Sequence, residues 1–369
     1  MGMKARGSAD DVSVVFCQEF WSLLQKGATG MESIPVFVGL DYHPGSVQVA
    51  VLDAAGRVLG NRSCPNDPAA IQRVAESYGV VRRAAIEACT GAADLAERLV
   101  AVGWHLELGH TTYVARMKRS PDKSDWADSR LLADLTRVGY LPKVWLPPAP
   151  LRELRRLVRY RQQLADQRRD HRLRIRALLR EHRIASPAGS AWTQRWLAWL
   201  AALDLPEQTR WIIQEHLSAL EYLARRIRVT ERRLHQVTAA DAVVQKLLTH
   251  PGIGPVTAWT IAAEIGRFDR FTTGKQLAHF CGLSPRNVSS GEKQADGGLI
   301  ATGQPRLRAT LIELGHRLIR TQPRWRDLAQ SWRERGKPTC VIIAGIANRY
   351  VRWLYHQMLE PTAAAPATA

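Results

Sequence analysis

Four carboxylates in the N-terminal part of the chain have the residue types and positions that a metal-dependent site requires. Asp41 and Glu87 each end an apolar run that predicts a strand, and sites gather at strand ends in open α/β sheets. Asp125 and Asp128 stand three residues apart and therefore share one face of a predicted helix. Clustered carboxylates repel each other unless cations neutralise them, and hard oxygen ligands suit Mg²⁺ or Mn²⁺. Two such ions, about 3.5–4 Å apart, can stabilise the attacking and leaving oxygens of a phosphodiester.

The same four residues also fit a purely structural interpretation. In that case Asp41 caps a turn and Glu87 pairs with a basic neighbour such as Arg83. Asp125 and Asp128 then belong to an ordinary first helical turn, where acids favour the helix dipole. Residue spacing alone leaves both interpretations open.

A glycine-containing turn in the C-terminal part is a candidate phosphate-binding element. Gly252 and Gly254 form a Gly-x-Gly turn between two predicted helices, which is typical of a helix-hairpin-helix motif. Such a turn brings backbone N–H groups against a phosphate at the start of the following helix, here at Pro255. The alternative is a glycine-rich connection between packed helices that binds no ligand.

A polar, basic loop is predicted further along, over residues 282–293, with more basic residues shortly after it. A serine beside glycine in such a loop reaches a phosphate more freely than one packed along a helix. No neighbouring histidine offers a base, so the local sequence does not by itself establish a nucleophile. The residues of interest are Arg286, Ser289, Ser290, Lys293 and Arg306.

The charge of the chain indicates a polyanionic partner. Its 369 residues include 52 Lys and Arg against 34 Asp and Glu, a formal net charge of +18. Twelve arginines stand against four acids between Leu151 and Ile184, on one predicted helix. Such a one-sided basic helix is typical of nucleic-acid binding. Its candidate contacts are Arg155, Arg159, Arg168, Arg172 and Arg176.

The order of predicted elements indicates an α/β part followed by an α-helical part. Three strands are predicted over 36–41, 46–52 and 57–61, followed by helices over 68–78 and 92–102 that alternate with strands over 83–87 and 104–108. This alternation predicts a mixed α/β sheet. Beyond Ser124 the strand pattern disappears, and long helices over 151–184 and 207–248 predict an antiparallel helical hairpin.

We therefore expect five segments. An extension over 1–33, either native or upstream of the true start codon, precedes an α/β domain over 34–145 and a basic helical linker over 146–248. A C-terminal helical domain over 249–358 and a disordered tail over 359–369 follow.

Composition excludes several classes of protein. The longer apolar runs, such as Cys340 to Ala347, are too short for the roughly 20 apolar residues of a membrane helix. Five scattered cysteines without a Cys-x-x-Cys pair indicate neither a disulfide framework nor a cysteine zinc site. Free thiols in a reducing cytoplasm fit this pattern best.

Taken in order, these motifs resemble the DEDD-type transposases of the insertion-sequence 110 family, which includes the Piv-like DNA invertases. The likeness runs from about Val36 to Arg320. The N-terminal motifs that carry it are Gly39-Leu40-Asp41-Tyr42-His43, Glu87-Ala88-Cys89-Thr90-Gly91 and Lys123-Ser124-Asp125-Trp126-Ala127-Asp128. The C-terminal ones are Pro251-Gly252-Ile253-Gly254-Pro255, Gly282-Leu283-Ser284-Pro285 and Ser289-Ser290-Gly291.

The resemblance implies a RuvC-like, RNase H-type domain whose four acids, Asp41, Glu87, Asp125 and Asp128, hold two Mg²⁺ or Mn²⁺ ions. It also implies that Ser290, with Ser289 as the rival, attacks DNA to form a phosphoserine link. Members of this family use a non-coding RNA to bridge donor and target DNA. We accordingly expect DNA and a bridge RNA as partners, a homodimer or homotetramer, and a bacterial cytoplasmic, nucleoid-associated location.

Two other functions stay open at this point. A Holliday-junction-type endonuclease would need only the four acids, so Ser290 would be dispensable. A non-catalytic nucleic-acid scaffold would bind without metal and with ordinary salt dependence.

Overall fold

The structure is a computed structural model that describes residues 34–118, 124–288, 296–300 and 303–360. Residues 1–33, where the sequence predicts an extension, and the end of the predicted tail, 361–369, lie outside the described residues. The chain divides into two compact units between Leu146 and Pro147.

A six-stranded mixed sheet forms the centre of the first unit. The strands are β1 (Pro35–Tyr42), β2 (Ser46–Leu52), β3 (Val58–Pro65), β4 (Val80–Glu87), β5 (Leu106–Gly109) and β6 (Lys143–Val144). Their order in the sheet is β3-β2-β1-β4-β5-β6. Strand β1 pairs antiparallel with β2 and parallel with β4, while β6 pairs antiparallel with β5 at the far edge. The predicted mixed α/β sheet is thus confirmed, whereas the RuvC-like assignment stays a prediction.

Helices cover both faces of this sheet. They are α1 (Pro68–Glu76), α2 (Ala92–Ala101), α3 (Thr111–Arg116) and α4 (Asp125–Arg137). On one face, Val36, Val38 and Leu40 of β1 pack in the same apolar core as Ile71 of α1 and Leu95 of α2. Helix α4 packs on the opposite face, over β1, β2 and β4. Because both faces are covered, the central strands are apolar almost throughout.

A row of small residues lets α4 approach the sheet closely. Gly39 of β1 is in register with Ala50 of β2 and Ala85 of β4, so no large side chain stands in this row. A Cβ atom on Gly39 would lie 1.9 Å from the backbone oxygen of Ser129 and 2.4 Å from the nitrogen of Ala133. Glycine is therefore needed at position 39 to seat the helix that begins with Asp125.

Buried Glu107 ties β5 to α4 and β6. Its carboxylate accepts a hydrogen bond of 2.9 Å from the Thr136 hydroxyl and lies 2.5 Å from the Lys143 ammonium. Burial alone raises the pKa of Glu107, but the Lys143 ammonium and the Thr136 hydroxyl outweigh it and hold the pKa below its ordinary value of 4.5. The ionised form of Glu107 therefore stabilises the first unit.

Replacement of Glu107 by glutamine is expected to lower the free energy of unfolding by about 2 kcal/mol at pH 7. A depressed pKa contributes stability above the unfolded value and loses it as pH falls through the folded value. The difference between Glu107→Gln and wild type should therefore shrink below about pH 4.5. Urea denaturation at neutral and acid pH measures this. Asp94→Asn, at an exposed ion pair with Arg98, is the control and should change little; a pH-independent loss in Glu107→Gln would contradict the assignment.

Two long helices dominate the second unit and pack antiparallel. Helix α5 (Ala149–Glu181) and helix α7 (Glu207–Thr238) are joined through α6 (Gln194–Ala201). Arg161 of α5 donates to Glu231 of α7, and near the other end His182 contacts Thr209. Because later residues of α5 pair with earlier residues of α7, the two helices run in opposite directions. The linker role of this pair stays a prediction.

The remaining helices of the second unit surround one large apolar core. They are α8 (Ala242–Leu248), α9 (Pro255–Ile265), α10 (Gly274–Phe280), α11 (Pro305–Thr321), α12 (Pro323–Glu334) and α13 (Thr339–Leu359). Helix α9 is buried over nearly its whole length, and α13 packs against α10, α11 and α12. Val158 and Leu234, from the two long helices, belong to the same core. The long helices and the C-terminal helices therefore share one apolar interior.

The prediction that no strand follows Ser124 is wrong. Strand β6 follows α4, and β7 (Pro285–Asn287) pairs antiparallel with β8 (Asp296–Leu299). These strands are two to four residues long, and β7 and β8 include proline or glycine, so they show no alternating pattern. They form because backbone groups pair with a neighbour, which a local sequence pattern does not reveal.

A buried ion pair attaches α5 to the end of α9. The Arg159 guanidinium donates two hydrogen bonds of 2.8 Å to the Glu264 carboxylate, whose side chain is only 5% exposed. Arg155 donates to the backbone oxygens of Ala263 and Glu264, which are left without helical partners at the end of α9.

Replacement of Arg159 by alanine is expected to lower the free energy of unfolding by about 3 kcal/mol, because it leaves a buried carboxylate without its bidentate partner. The expected loss of unfolding free energy is at the low end for buried ion pairs, because Arg159 is 43% exposed and water can reach the space that its side chain leaves. Urea denaturation measures the loss. The matched control is Arg156→Ala on the same helix, whose exposed pair with Glu153 should contribute less than about 1 kcal/mol. Equal losses in the two variants would contradict the prediction.

Among the described residues, no helix combines the length and the apolar character needed to cross a membrane.

Candidate active site

Asp41, His43 and Asp125 meet beside the end of β1. The Nε2 atom of His43 lies 3.6 Å from Oδ2 of Asp41 and 3.1 Å from Oδ2 of Asp125. One ligand atom from each of the three residues lies within 4.8 Å of the other two. Asp125 is the first residue of α4, so the seating of α4 on Gly39 brings its carboxylate to the strand end.

Asp128 belongs to the same group and is neutralised from within the chain. It lies one turn after Asp125 on α4, and its carboxylate is 2.7 Å from the Lys118 ammonium. The side chain of Asp128 is 10% exposed and that of Lys118 is 27% exposed. A largely desolvated ion pair of this kind positions both side chains next to the other carboxylates.

Glu87 lies at the end of the strand next to Asp41. Leu40 is in register with Ile86, so the following residues, Asp41 and Glu87, stand at the same level of adjacent parallel strands. Both carboxylates lie close enough to Cys89 to affect its thiol. Burial raises the pKa of the Cys89 thiol above its ordinary value, and the negative charges of Glu87 and Asp41 raise it further. The four predicted acids thus come from one end of β1, β4 and α4.

Burial and like charge disfavour the ionised form of Asp41. Burial raises the pKa of Asp41 above its ordinary value of 3.8, and Asp125 and Asp128 add to the effect, while His43 and Lys118 oppose it. A bound cation stabilises the ionised form of a carboxylate whose charge is otherwise disfavoured in the fold.

The residues present fit a divalent cation. The Nε2 atom of His43 is buried and forms no hydrogen bond with any described residue, although it lies between two carboxylates. An imidazole nitrogen and carboxylate oxygens are a ligand set that suits Mn²⁺ well and also accepts Mg²⁺ through the oxygens. The nitrogen lies at ion-pair distance from both carboxylates but is aligned for a hydrogen bond with neither, so a cation could bind the same three side chains.

Two members of this group were not predicted as site residues. His43 follows Asp41 by two residues, the period at which side chains of a strand share a face, so its spacing was a usable signal. Lys118 precedes Asp128 by ten residues and lies just after α3. No local pattern connects Lys118 to Asp128, because only the packing of α4 brings them together.

The predicted Gly-x-Gly turn is present between α8 and α9, and part of it faces the core. Gly252 has a φ of +80°, which favours glycine, and its oxygen accepts a hydrogen bond of 2.8 Å from Arg317. The preceding carbonyl, of Pro251, accepts from the Tyr350 hydroxyl. Gly254 precedes α9 and has open space where a Cβ would stand. The phosphate-binding role of Gly252 and Gly254 stays a prediction.

The predicted basic loop is in part a two-stranded hairpin. Arg286 lies in β7, opposite Gly297 of β8. Arg306, at the start of α11, approaches Asp166 of α5 at 3.9 Å. Ser289, Ser290 and Lys293, between the two strands, lie outside the described residues, so the nucleophile stays a prediction.

The five predicted arginines of α5 differ in their surroundings. Arg155 and Arg159 are engaged with the end of α9, so their guanidinium groups are less available to a phosphate. Arg172 lies over the Trp192 ring at 5.0 Å, and its Nε has no hydrogen-bond partner among the described residues. Arg176 is exposed and Arg168 is half-buried. The basic surface suited to a polyanion therefore lies toward the C-terminal end of α5.

Comparison with known protein families places the four acids and the predicted serine in two matching segments. Residues 38–184 match a family of DEDD transposases of the IS110 type. Residues 244–330 match the family described as "Transposase IS116/IS110/IS902 family".

Individual relatives carry the same description. A probable family 20 transposase of Pseudomonas aeruginosa is 29% identical over 294 residues, which are 76% of this chain and 85% of the relative. The transposase for insertion sequence element IS1111A of Coxiella burnetii is 24% identical over 322 residues, covering 86% of this chain and 87% of the relative. The transposase for insertion sequence element IS1328 of Yersinia enterocolitica is 27% identical over 229 residues, covering 62% and 68% of the two chains.

Proposed function

Because the chain belongs to the IS110/IS116/IS902 family of insertion-sequence transposases, we propose that it cuts and rejoins DNA through a metal-bound acidic site and a serine nucleophile. The observation that carries this proposal is the convergence of Asp41 and Asp125 on His43. Asp128 lies near enough to Asp41 to affect its charge, and Glu87 stands on the adjacent strand end. The structural alternative, in which each acid caps or pairs locally, does not explain why Asp41 and Asp125 flank the same imidazole nitrogen.

Asp41, Asp125 and His43 would hold one cation, and Glu87 and Asp128 would complete the set when a second ion binds. Mg²⁺ or Mn²⁺ supplies Lewis-acid polarisation of a phosphate and stabilises charge on the attacking and leaving oxygens. Lys118 keeps the Asp128 carboxylate in place by its ion pair. Glycine at position 39 keeps α4, and with it both aspartates, against the sheet.

The covalent step assigned to Ser290 is a transesterification. A bond forms between its Oγ and the phosphorus, one P–O bond of the DNA backbone breaks, and the serine proton ends on the released oxygen. Rejoining is the reverse, with a hydroxyl of another strand attacking the phosphoserine. No phosphate-bond energy is lost, so strand transfer needs no nucleotide cofactor. Ser289 is the rival nucleophile.

The remaining partners are part of the same proposal. The basic C-terminal end of α5 suits a structured RNA, because A-form RNA is recognised by shape, phosphate and 2′-hydroxyl contacts. We expect a non-coding bridge RNA to guide the choice of DNA, and a homodimer or homotetramer to carry out the exchange in the bacterial cytoplasm.

The test is a search for a covalent protein–DNA adduct. The full chain with its co-purifying nucleic acid is incubated with labelled element-end DNA and Mg²⁺, then resolved on a denaturing gel. The variants are Ser290→Ala, Ser289→Ala and Asp125→Ala, with Asp134→Ala as a matched control because Asp134 lies on α4 but pairs with Arg137.

An adduct that is lost in Ser290→Ala and Asp125→Ala, and kept in Ser289→Ala and Asp134→Ala, supports the serine-plus-metal transposase. If the adduct is lost in Ser289→Ala but kept in Ser290→Ala, the nucleophile is Ser289. Cleaved DNA without an adduct, unaffected by either serine, would replace the proposal with a metal-only nuclease of the Holliday-junction type. Binding without any cleavage would indicate the scaffold.

A further inference from the structure

A basic and aromatic cavity of about 450 Å³ lies between α12 and α13. Helix α13 contributes Arg349, Arg352, Trp353 and His356, a spacing that places all four on one helical face. Helix α12 contributes Arg324, Trp325 and Leu328. The volume is within the range of about 300–1,000 Å³ that small-ligand sites occupy.

The arginines of this cavity have no carboxylate partner among the described residues. Arg324, Arg349 and Arg352 form no ion pair with the described part of the chain, and no acid lines the cavity. Arg324 and Arg349 instead stack near tryptophan rings, with guanidinium carbons 5.1 Å from the Trp325 centroid and 4.8 Å from the Trp332 centroid. Three uncompensated guanidinium groups around one space indicate an anionic ligand, and their planar forks suit phosphate oxygens.

Trp353, one of the residues that line the cavity, packs against other aromatic rings. Trp353 is half-buried, and its ring centroid lies 5.2 Å from that of Tyr350 and 5.4 Å from that of His250. Trp325, 6% exposed, packs against Tyr350 in turn. An indole fixed from behind offers its remaining surface to a ligand at little entropic cost, as stacking platforms for bases do.

We propose that this cavity binds an unpaired nucleotide of a single-stranded nucleic acid, with its phosphate against Arg349 and Arg352 and its base against Trp353. A duplex keeps its bases stacked inside, so it cannot present a base and its phosphate to such a cavity together. Direct strand exchange and RNA guidance both expose single strands, and the inference rests on the proposed function only in taking nucleic acid as the partner. An acidic protein segment would satisfy the arginines but would leave the aromatic surface without a matching group.

The experiment measures binding of a short, unstructured, fluorescein-labelled oligonucleotide to the full chain by fluorescence anisotropy. Single-stranded DNA, single-stranded RNA and the matching duplex are compared over a range of salt concentrations. The test variant is Arg349→Ala with Arg352→Ala. The matched control is Arg335→Ala with Lys337→Ala, which removes two exposed charges near the end of α12, outside the cavity.

The cavity variant should weaken single-strand binding and reduce the slope of log K against log salt by about 0.7, because one phosphate of the single strand is no longer neutralised. The control variant, Arg335→Ala with Lys337→Ala, should change neither the single-strand affinity nor the salt slope. Trp353→Leu should weaken binding by about fivefold or more, the low end for base–aromatic stacking, without changing the salt slope. If Trp353→Leu fails to fold, Arg324→Ala, at an exposed residue of α12, carries the test and should weaken binding in the same direction.

Equal losses in the cavity and control variants would overturn the proposal in favour of diffuse charge attraction. If duplex and single strand bind equally well, and both depend on the cavity arginines, the cavity does not select an unpaired nucleotide and the proposal is wrong. If polyglutamate competes as strongly as the oligonucleotide, the partner is instead an acidic protein segment. A preference for DNA or for RNA identifies the source of the strand, and either supports the proposal. The anisotropy measurement is made without divalent cation and reports binding alone, so failure of this inference and failure of strand cleavage are distinguishable.

Discussion

Replacement of Asp41 by asparagine is expected to abolish metal-dependent strand cleavage while raising the melting temperature of the metal-free protein. Cleavage should fall by at least ~100-fold, because even residues that only support a metal ligand cost about 10–100-fold when changed. The melting temperature should rise because Asp41 is largely buried beside Asp125 and Asp128. A raised pKa means that the ionised form costs stability at pH 7, and that this cost disappears below about pH 3.8.

Thermal unfolding with and without Mn²⁺ separates the two effects. The wild-type protein should gain stability with added cation, by about 2.7 kcal/mol at a hundredfold excess over the dissociation constant, and Asp41→Asn should gain little. Asp94→Asn, at an exposed ion pair, should behave as wild type in both conditions. A metal-free Asp41→Asn protein that melts lower than wild type would show that Asp41 has a structural role instead.

A methyl group at position 39 is expected to damage the fold and the site together. In Gly39→Ala the new Cβ would meet backbone atoms of α4 at 1.9 and 2.4 Å, so the helix must move away from β1. We expect a loss of unfolding free energy at the upper end of about 1–3 kcal/mol for overpacking. Because α4 carries Asp125 and Asp128, cleavage should fall by about 100-fold, the cost of a displacement near 1 Å.

Gly45→Ala is the matched control for this prediction. Gly45 lies in the turn between β1 and β2, and a Cβ there would meet nothing within 4 Å. Urea denaturation and the cleavage assay should place Gly45→Ala close to wild type, within about 0.5 kcal/mol. Full cleavage activity in Gly39→Ala would contradict the assignment of α4 as the element that positions the site.

In the first unit, the residues that form the candidate site are held in place at a cost in stability. Because Gly39 has no side chain, α4 can lie close to the sheet in the middle of buried strand β1. That helix places Asp125 and Asp128 near Asp41, and their negative charges, together with burial, make ionised Asp41 unfavourable in the absence of a cation. A site in which charge is disfavoured until a cation binds is a recurrent arrangement in metal-dependent enzymes, where stability is sacrificed at the functional residues.

Much of the first unit was determined by the sequence itself. Apolar runs bounded by glycine and proline predicted five of the six strands of the sheet, because a buried strand needs apolar side chains over a short continuous stretch. The positions of Asp41 and Glu87 at strand ends, and of Asp125 and Asp128 at a helix start, followed from the same periodicities. Net charge predicted a polyanionic partner without reference to any fold.

Other features were decided only by the tertiary structure. Lys118 pairs with Asp128 ten residues further along the chain, and Arg159 pairs with a carboxylate 105 residues away. The cavity lined by Trp353 needs two helices to form. The hairpin of β7 and β8 exists through backbone pairing between segments that show no strand pattern of their own. Local periodicity reports which face of an element is buried, because it reflects neighbours within a few residues. It does not report which distant side chain lies against that face, since this depends on how whole elements pack.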